Sequence, residues 1–205
     1  MSNSSATQRI VLASSNRGKL AEFNALLADS HFEVVPQAEL GVEDAEETGL
    51  TFVENALLKA RHASRVTGLP ALADDSGLCV AHLRGAPGLY SARYSGGHGD
   101  NVANNAKLLH ELDGVAHEQR GAFFICVLAL LAHADDPTPL IAEGRWHGRI
   151  LDAPRGTHGF GYDPLFLPHE QLLSSAELSS EVKNRLSHRA QAMAQLHVRI
   201  AELSI

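Results

Sequence analysis

The chain has 205 residues and a formal net charge of −7, with 44% hydrophobic and 20% charged residues. These values are ordinary for a soluble globular protein, and the length allows one domain over residues 1–205 or two small lobes. The acidic balance argues against a nucleic-acid polymer as partner, because such binding depends mainly on Lys and Arg side chains that neutralise phosphates.

The sequence contains no recognisable membrane span or secretory signal. The longest apolar run, Ala122 to Ala132, is too short to cross a bilayer, and residues 1–8 lack the apolar core of a signal peptide. Cys79 and Cys126 lie in apolar runs without a Cys-x-x-Cys motif, which favours buried free thiols in a reducing compartment. We therefore expect a cytoplasmic protein with a loose N-terminal tail at residues 1–8.

A strand, a polar loop and a helix are predicted at the start of the chain. Arg9 to Ala13 is a short apolar, β-branched run, and apolar residues recur at helical spacing from Leu20 onward. The loop between them is Ser14-Ser15-Asn16-Arg17-Gly18-Lys19. Its backbone N–H groups and the helix N-terminus favour a bound phosphate, and Lys19 adds a cation. The loop is not a Walker A motif, and an ordinary capped turn remains the alternative.

An acidic connection leads into the second predicted helix. Residues 43–49 include four carboxylates, which is typical of a solvated loop. Thr51 and Glu54 have the spacing of a capping box, so a helix is expected to begin after Thr51. Asn55 and Lys59 are four residues apart and therefore share one face of that helix.

The segment from Ala71 to Val80 places two adjacent carboxylates, Asp74 and Asp75, between two apolar runs. Local composition favours a polar turn in which Asp75, Ser76 and Gly77 link two strands. The alternative is a metal site, because a buried, unpaired carboxylate is costly and a divalent cation supplies the compensating charge.

Strands and helices alternate early in the chain, and a hairpin follows later. The other predicted elements are a strand at 32–35, a shaped Gly/Pro loop at 83–97, a helix at 101–112, strands at 122–132 and 140–150, a Gly-rich loop at 156–163, and helices from about 179, the last capped by Ser187. This order favours an α/β fold with a mixed sheet.

Six short motifs occur in a fixed order along the chain. They are Ser14-Ser15-Asn16-Arg17-Gly18-Lys19; Glu46-Glu47-Thr48-Gly49-Leu50-Thr51-Phe52-Val53-Glu54-Asn55-Ala56; Asp74-Asp75-Ser76-Gly77-Leu78; Gly85-Ala86-Pro87-Gly88 with Tyr90-Ser91-Ala92-Arg93-Tyr94; Gly159-Phe160-Gly161-Tyr162-Asp163-Pro164; and Ser187-His188-Arg189. Together they resemble the inosine/xanthosine triphosphate pyrophosphatases, the XTP/dITP diphosphatase or Ham1-like family, over essentially the whole chain. One departure is Ser15, where the family commonly has glycine, so mild strain is expected if the position needs positive φ.

The resemblance implies an elongated mixed β-sheet with flanking helices, two lobes around a central active-site cleft, and usually a homodimer. It implies a Mg²⁺-dependent enzyme that hydrolyses deaminated purine nucleoside triphosphates (ITP, dITP, XTP) to the monophosphate and pyrophosphate, and so sanitises the nucleotide pool. The alternatives are a related pyrophosphatase with another base preference and a nucleotide-binding sensor that does not hydrolyse its ligand.

The same resemblance suggests a role for each matching residue. Asp75 and Glu47 are the expected Mg²⁺ ligands, although their neighbours Asp74 and Glu46 could exchange roles with them. The expected catalytic residues are Asp75 as the base, Lys59 facing the leaving pyrophosphate, and Asp74. The expected substrate-binding residues are Ser14, Ser15, Asn16, Arg17, Gly18 and Lys19 for the phosphates, Ser76, a base-stacking wall of Phe160 and Tyr162 around Gly161, and Asp163, Lys183, His188 and Arg189 for the nucleoside. The alternatives are a solvated helix lysine for Lys59 and packed loop anchors for the two aromatic residues.

Overall fold

The computed structural model of the protein describes residues 8–27, 32–97 and 99–200. Within them the strands are β1 (Gln8–Ala13), β2 (Phe32–Pro36), β3 (Ala71–Val80), β4 (Gly121–Leu131), β5 (Leu140–Ile150) and β6 (Phe166–Pro168). The α-helices are α1 (Arg17–Leu27), α2 (Phe52–Thr67), α3 (Asn101–Glu111), α4 (Ser180–Leu186) and α5 (His188–Ile200). The predicted loose tail at 1–8 lies outside the described residues except for Gln8, which already belongs to β1.

The strands form one mixed sheet in the order β2-β1-β3-β4-β5-β6. β1 is parallel to β2 and to β3, whereas β5 and β6 are antiparallel. The parallel part follows from the strand–helix–strand order of the first third of the chain, because parallel neighbours need a crossover connection. The predicted α/β fold with a mixed sheet is confirmed, and the predicted strand at 140–150 matches β5 residue for residue.

The chain divides into two compact units. Unit 1 comprises the described residues of 1–75, 127–143 and 192–205, and unit 2 comprises those of 76–126 and 144–191. Strands β3, β4 and β5 contribute residues to both units. That residues 1–205 form a single domain stays a prediction.

Helix α2 is the main helix of unit 1 and begins at the predicted cap. Thr51 Oγ1 accepts the Glu54 N–H at 3.3 Å, and the Glu54 carboxylate accepts from Leu50 N–H and from the Thr51 hydroxyl. The helix buries one face of small residues, Ala56, Ala60 and Ala63. The cap confirms the capping box predicted from the sequence, and the buried alanines fix which face of α2 carries its polar side chains.

Unit 2 has an aromatic core built on the second half of the sheet. Phe124 and Trp146 both pack on Phe166, with ring centroids 4.7 and 5.4 Å away respectively.

Cys79 and Cys126 are buried free thiols, as predicted, and burial raises the pKa of Cys79. None of the helices in the described residues is long and apolar enough to cross a membrane.

Candidate active site

Asp74 and Asp75 lie inside a continuous strand. β3 runs unbroken from Ala71 to Val80, so the interpretation of Asp75-Ser76-Gly77 as a turn is wrong. Asp74 is 1% exposed and Asp75 is 6% exposed. Strands tolerate buried carboxylates only when cations or hydrogen-bond donors compensate them, and both carboxylates have such partners in unit 1.

Lys59 compensates Asp75 and brings a second carboxylate to the same point. Its Nζ lies 3.0 Å from Asp75 Oδ1 and 2.8 Å from Glu47 Oε1. Helix α2 positions this lysine together with Asn55, whose Nδ2 donates to Asp75 Oδ2 at 3.3 Å and whose Oδ1 accepts the Gly49 N–H at 2.8 Å. The polar face of α2 therefore fixes both β3 and the acidic connection that carries Glu47.

The pKa values of Asp75 and Lys59 are both raised, for different reasons. Burial raises the pKa of the Asp75 carboxyl above its ordinary value, against the opposing effects of Lys59 and Lys19. Burial also acts to lower the pKa of the Lys59 ammonium, but Asp75, Asp74 and Glu47 outweigh it and hold that pKa well above its ordinary value. Lys59 is therefore a permanent cation at the centre of a carboxylate cluster, not a solvated helix lysine.

Lys19 compensates Asp74. The distance from Lys19 Nζ to Asp74 Oδ2 is 2.9 Å, and the Asp74 side chain is fully inaccessible. Asn16 Oδ1 accepts the Lys19 N–H at 3.1 Å, and Ser14 Oγ accepts the Asn16 N–H at 3.4 Å. The structure therefore joins the loop after β1 to β3 through the Lys19–Asp74 ion pair.

The other residues of this loop have different environments. α1 begins at Arg17 and includes Gly18 in its first turn, but the Arg17 side chain lies outside the described part of the structure. The strain expected at Ser15 is not found, because in the described residues the only non-glycine residues with positive φ are Arg84 and Glu170. The Ser15 hydroxyl donates instead to Asp44 Oδ1 at 2.7 Å.

The oxygens of Glu47 and Asp75 could hold a hard divalent cation. Both carboxylates already converge on one positive atom, Lys59 Nζ. Mg²⁺ needs only one or two protein carboxylates when substrate phosphate and water complete its shell. Within the described residues no group of three or more His, Cys, Asp or Glu side chains could hold a metal. Two carboxylates are within the number that a Mg²⁺ shell shared with phosphate and water needs.

The second cluster of predicted residues lies in unit 2, around Phe160. Lys183 Nζ lies 5.1 Å and Arg189 Cζ 5.3 Å from the centroid of the Phe160 ring. Such distances give cation–π attraction. Arg189 is 4% exposed and its Nη2 donates to Ser76 Oγ at 3.2 Å. The predicted site residues Ser76, Phe160, Lys183 and Arg189 therefore meet in one place.

Asp163 organises the loop that carries Phe160. Its Oδ2 accepts from Lys183 Nζ at 2.8 Å and from the Phe160 N–H at 2.9 Å, while Oδ1 accepts from Ser175 Oγ at 2.8 Å. Gly159 has φ +78°, and a Cβ there would lie 2.1 Å from Asp163 Oδ2. The carboxylate is 3% exposed, and the hydrogen bonds that it accepts hold the Phe160 loop in place. That Asp163 also contacts a nucleoside stays a prediction.

Two other predicted nucleoside contacts are buried. Tyr162 is 3% exposed in the unit 2 core and its hydroxyl donates to Ser91 O at 2.9 Å. The predicted stacking wall is therefore corrected to Phe160 alone, because tertiary packing uses the Tyr162 ring. His188 is also 3% exposed and stacks on Phe124 with centroids 4.9 Å apart. Gly161 presents its carbonyl oxygen to Asn105 Nδ2 at 2.9 Å.

Comparison with known proteins agrees with this arrangement of motifs. Residues 10–198 match the family model of the Ham1 family. The chain belongs to the Ham1 family. It is 61% identical over 196 residues to the dITP/XTP pyrophosphatase of Ralstonia nicotianae, covering 94% of this chain and 96% of that relative. It is 60% identical to the dITP/XTP pyrophosphatase of Xanthomonas campestris pv. campestris, covering 97% and 100%.

Solved structures of Ham1 proteins share the fold. A HAM1 protein from Coxiella burnetii matches with a TM-score of 0.88 and 49% identity, covering 96% of this chain and all of that one. The Ham1 protein of Staphylococcus aureus matches with a TM-score of 0.83 and 38% identity, covering 95% of this chain and 99% of that one. The resemblance seen in the sequence motifs is therefore confirmed, and so is the ITPase-like α/β architecture.

Several polar residues of this Ham1 protein support the site without having been predicted to do so. Asn55 lies in the second motif and shares a helix face with Lys59, and this spacing is the signal that could have identified it. Gln37, Asp44 and Asn105 had no signal beyond composition, because each acts through partners from distant segments. Ser175 likewise reaches Asp163 from a connection with no motif of its own.

Proposed function

We propose that this Ham1 protein hydrolyses the deaminated purine nucleoside triphosphates ITP, dITP and XTP to the nucleoside monophosphate and pyrophosphate. The observation that carries the proposal is the convergence of Asp75 and Glu47 on one cation position, Lys59 Nζ. A binding protein for triphosphates needs cations more than a pair of carboxylates, whereas hydrolysis needs a base and a metal site. Relatives about 60% identical are named dITP/XTP pyrophosphatase, which supports the same substrate class.

Mg²⁺ is the proposed cofactor, with Glu47 and Asp75 as its protein ligands. When bound, Mg²⁺ would neutralise phosphate charge and lower the pKa of a coordinated water. The hard carboxylate oxygens of the two residues fit that ion. Asp75, in contact with Asn55 and Lys59, is the proposed base that accepts a proton from the attacking water.

Three side chains of unit 1 would act on the phosphates as cations or hydrogen-bond donors. Lys59, held by two carboxylates, would stabilise charge that develops on the leaving pyrophosphate. Lys19 and Asn16, at the start of α1, would hold the triphosphate together with the loop backbone. Asp74 would keep Lys19 in position through its ion pair. We propose this supporting role for Asp74 in place of the catalytic role expected from the sequence.

The cluster around Phe160 in unit 2 would bind the nucleoside. The partly exposed Phe160 ring would stack on a base of any identity, and Asp163 and Lys183 would fix the ring from its loop. Arg189, with His188 beside it in the chain, would donate to the six-position oxygen of hypoxanthine and xanthine.

We also propose that the protein acts as a cytoplasmic homodimer on small-molecule nucleotides, without a nucleic-acid or membrane partner.

A panel of nucleoside triphosphates, scored for pyrophosphate with enzyme far below substrate concentration, tests the proposed function. Inosine, deoxyinosine and xanthosine triphosphates should each give many turnovers, and adenosine triphosphate should give far fewer. Binding of these triphosphates without any release of pyrophosphate, by a folded protein with Mg²⁺, would instead indicate a non-hydrolysing sensor. A strong preference for another base would keep the reaction and correct the substrate.

Replacement of Lys19 by Ala should weaken triphosphate binding by about 1.5–3 kcal/mol, the usual size of a hydrogen bond to a charged group. The substitution removes one cation from the phosphate loop and breaks its ion pair with Asp74. Titration calorimetry with a non-hydrolysable inosine triphosphate analogue measures the change. Lys107→Ala removes the same charge from a lysine that pairs with Glu111 and serves as the control. Equal affinity in Lys19→Ala and parent would make the loop an ordinary turn.

A further inference from the structure

Ser15 links three segments of unit 1 through its hydroxyl group. Ser15 Oγ donates to Asp44 Oδ1 at 2.7 Å, and Gln37 Nε2 donates to Ser15 Oγ at 3.2 Å. The Gln37 amide also donates to Asp44 Oδ1, so the three side chains form a closed triangle. A closed network holds its members more firmly than separate bonds, because moving one residue breaks two contacts.

The triangle is anchored by a buried residue. Gln37 is 3% exposed and follows β2 directly, as the first residue of the short 3₁₀ helix Gln37–Leu40. A buried amide keeps its hydrogen bonds, because an unpaired donor at that depth is costly. The contact between the surface side chains of Ser15 and Asp44 is therefore stabilised by a buried third residue, Gln37, which donates to both.

The acidic connection at residues 43–49 is also fixed on either side of Glu47. His62 Nε2 lies 3.0 Å from Glu43 O, and the Gly49 N–H donates to Asn55 Oδ1 at 2.8 Å. Both contacts tie the connection to α2. The Asp44 contact is different, because it ties the connection to the loop after β1.

We infer that Ser15 is a positioning residue for Glu47, holding the connection that bears this carboxylate in a fixed place against the phosphate loop. The inference rests on the proposed function, in which Glu47 is a metal ligand and the loop at 14–16 binds phosphate. Metal affinity then depends on a hydroxyl that touches neither the metal nor the phosphates, as outer partners of metal ligands often do. A glycine at this position cannot make the contact.

Mn²⁺ binding to the full chain, followed by the electron paramagnetic resonance signal of the free ion, tests the inference. Ser15→Ala should weaken Mn²⁺ binding by about tenfold, the lower end of the range for outer partners of metal ligands. Asp44→Ala should give a similar loss, and the double variant should lose no more than either single variant, because all three break the same triangle. Ser15→Thr retains the hydroxyl and should restore most of the affinity.

Thr138→Ala is the matched control. Thr138 is an exposed residue of unit 1 whose hydroxyl also donates to an aspartate, Asp136 Oδ1, at 3.2 Å. Its loss removes the same kind of bond away from Glu47, so Mn²⁺ affinity should equal that of the parent. Thermal unfolding of Ser15→Ala, Asp44→Ala and Thr138→Ala shows whether the three variants are equally folded.

Two results would overturn the inference while leaving the proposed function intact. One is unchanged Mn²⁺ affinity in Ser15→Ala when the parent still releases pyrophosphate from inosine triphosphate. The other is a loss of affinity that only follows the loss of folded protein and is not restored in Ser15→Thr. Failure of the parent to release pyrophosphate from any triphosphate would instead contradict the proposed function, whatever the Ser15 variants do.

Discussion

Asp75→Asn is expected to lower kcat for inosine triphosphate by at least ~10³-fold, because proton abstraction and metal positioning are lost together. The amide keeps the size of the side chain but removes its charge from Lys59, which lies 3.0 Å away. Steady-state pyrophosphate release at saturating Mg²⁺ measures the effect.

The same substitution should leave the protein folded. Burial raises the folded-state pKa of Asp75 above its value in the unfolded chain. Between those two pKa values stability falls as pH rises, because the folded protein holds the Asp75 proton more tightly than the unfolded chain does. The ionised carboxylate also stabilises the Lys59 ammonium, whose pKa it helps to raise. An uncharged amide removes both effects, which act in opposite directions, and Glu47 remains 2.8 Å from Lys59 Nζ. The thermal midpoint of Asp75→Asn at neutral pH should therefore stay close to that of the parent.

Asp136→Asn is the control variant for the loss of a buried carboxylate that takes no part in catalysis. Asp136 is 4% exposed in unit 1 and accepts from Ala132 N–H and from the N–H and hydroxyl of Thr138. Its amide variant should lose stability and keep its turnover while folded. Near-normal turnover in a folded Asp75→Asn protein would show that Asp75 is neither the base nor a metal ligand.

Arg189→Ala is expected to abolish most of the preference for inosine over adenosine triphosphate. In the parent the ratio of kcat/KM values should be at least ~10², since adenine would leave a buried donor facing another donor. Arg189 is buried, contacts Ser76 and lies over Phe160, so its guanidinium is fixed beside the proposed stacking ring. Removal of the donor should lower activity on inosine triphosphate and leave activity on adenosine triphosphate nearly unchanged.

Arg145→Ala controls for loss of an arginine that lies over a phenylalanine. Arg145 Cζ is 5.2 Å from the centroid of the Phe123 ring, which closely matches the Arg189–Phe160 distance of 5.3 Å. This variant should keep the base preference of the parent. An equal fall of both activities in Arg189→Ala would mean that Arg189 contacts phosphate or supports the fold and does not read the base.

Elements with strong periodicity or a complete local signal could be predicted from the sequence. The alanine face of α2 needs only its own spacing, and the Thr51–Glu54 cap needs only four residues. The strand at 140–150 begins directly after the Pro-rich segment 135–139, so its start could also be predicted. In each case the residues that determine the structure are neighbours in the chain.

Features that depend on distant partners could not be predicted in this way. Asp75, Ser76 and Gly77 resemble turn residues locally, yet they lie in β3. There Lys19 and Lys59, from α1 and α2, compensate the carboxylates of Asp74 and Asp75. Tyr162 shares the Gly-rich motif with Phe160, but only the tertiary packing of unit 2 decides that its ring is buried. Phe160 and Tyr162 belong to one sequence motif, but their three-dimensional contacts give them different roles.

The products formed from inosine triphosphate test the central claim most directly. Phosphorus-31 NMR of a reaction with Mg²⁺ and enzyme far below substrate concentration identifies every phosphorus product at once. We predict equal amounts of inosine monophosphate and pyrophosphate, with no orthophosphate at early times, because the proposed site cleaves between the α and β phosphates. Inosine diphosphate with orthophosphate, or unchanged triphosphate, would contradict that claim.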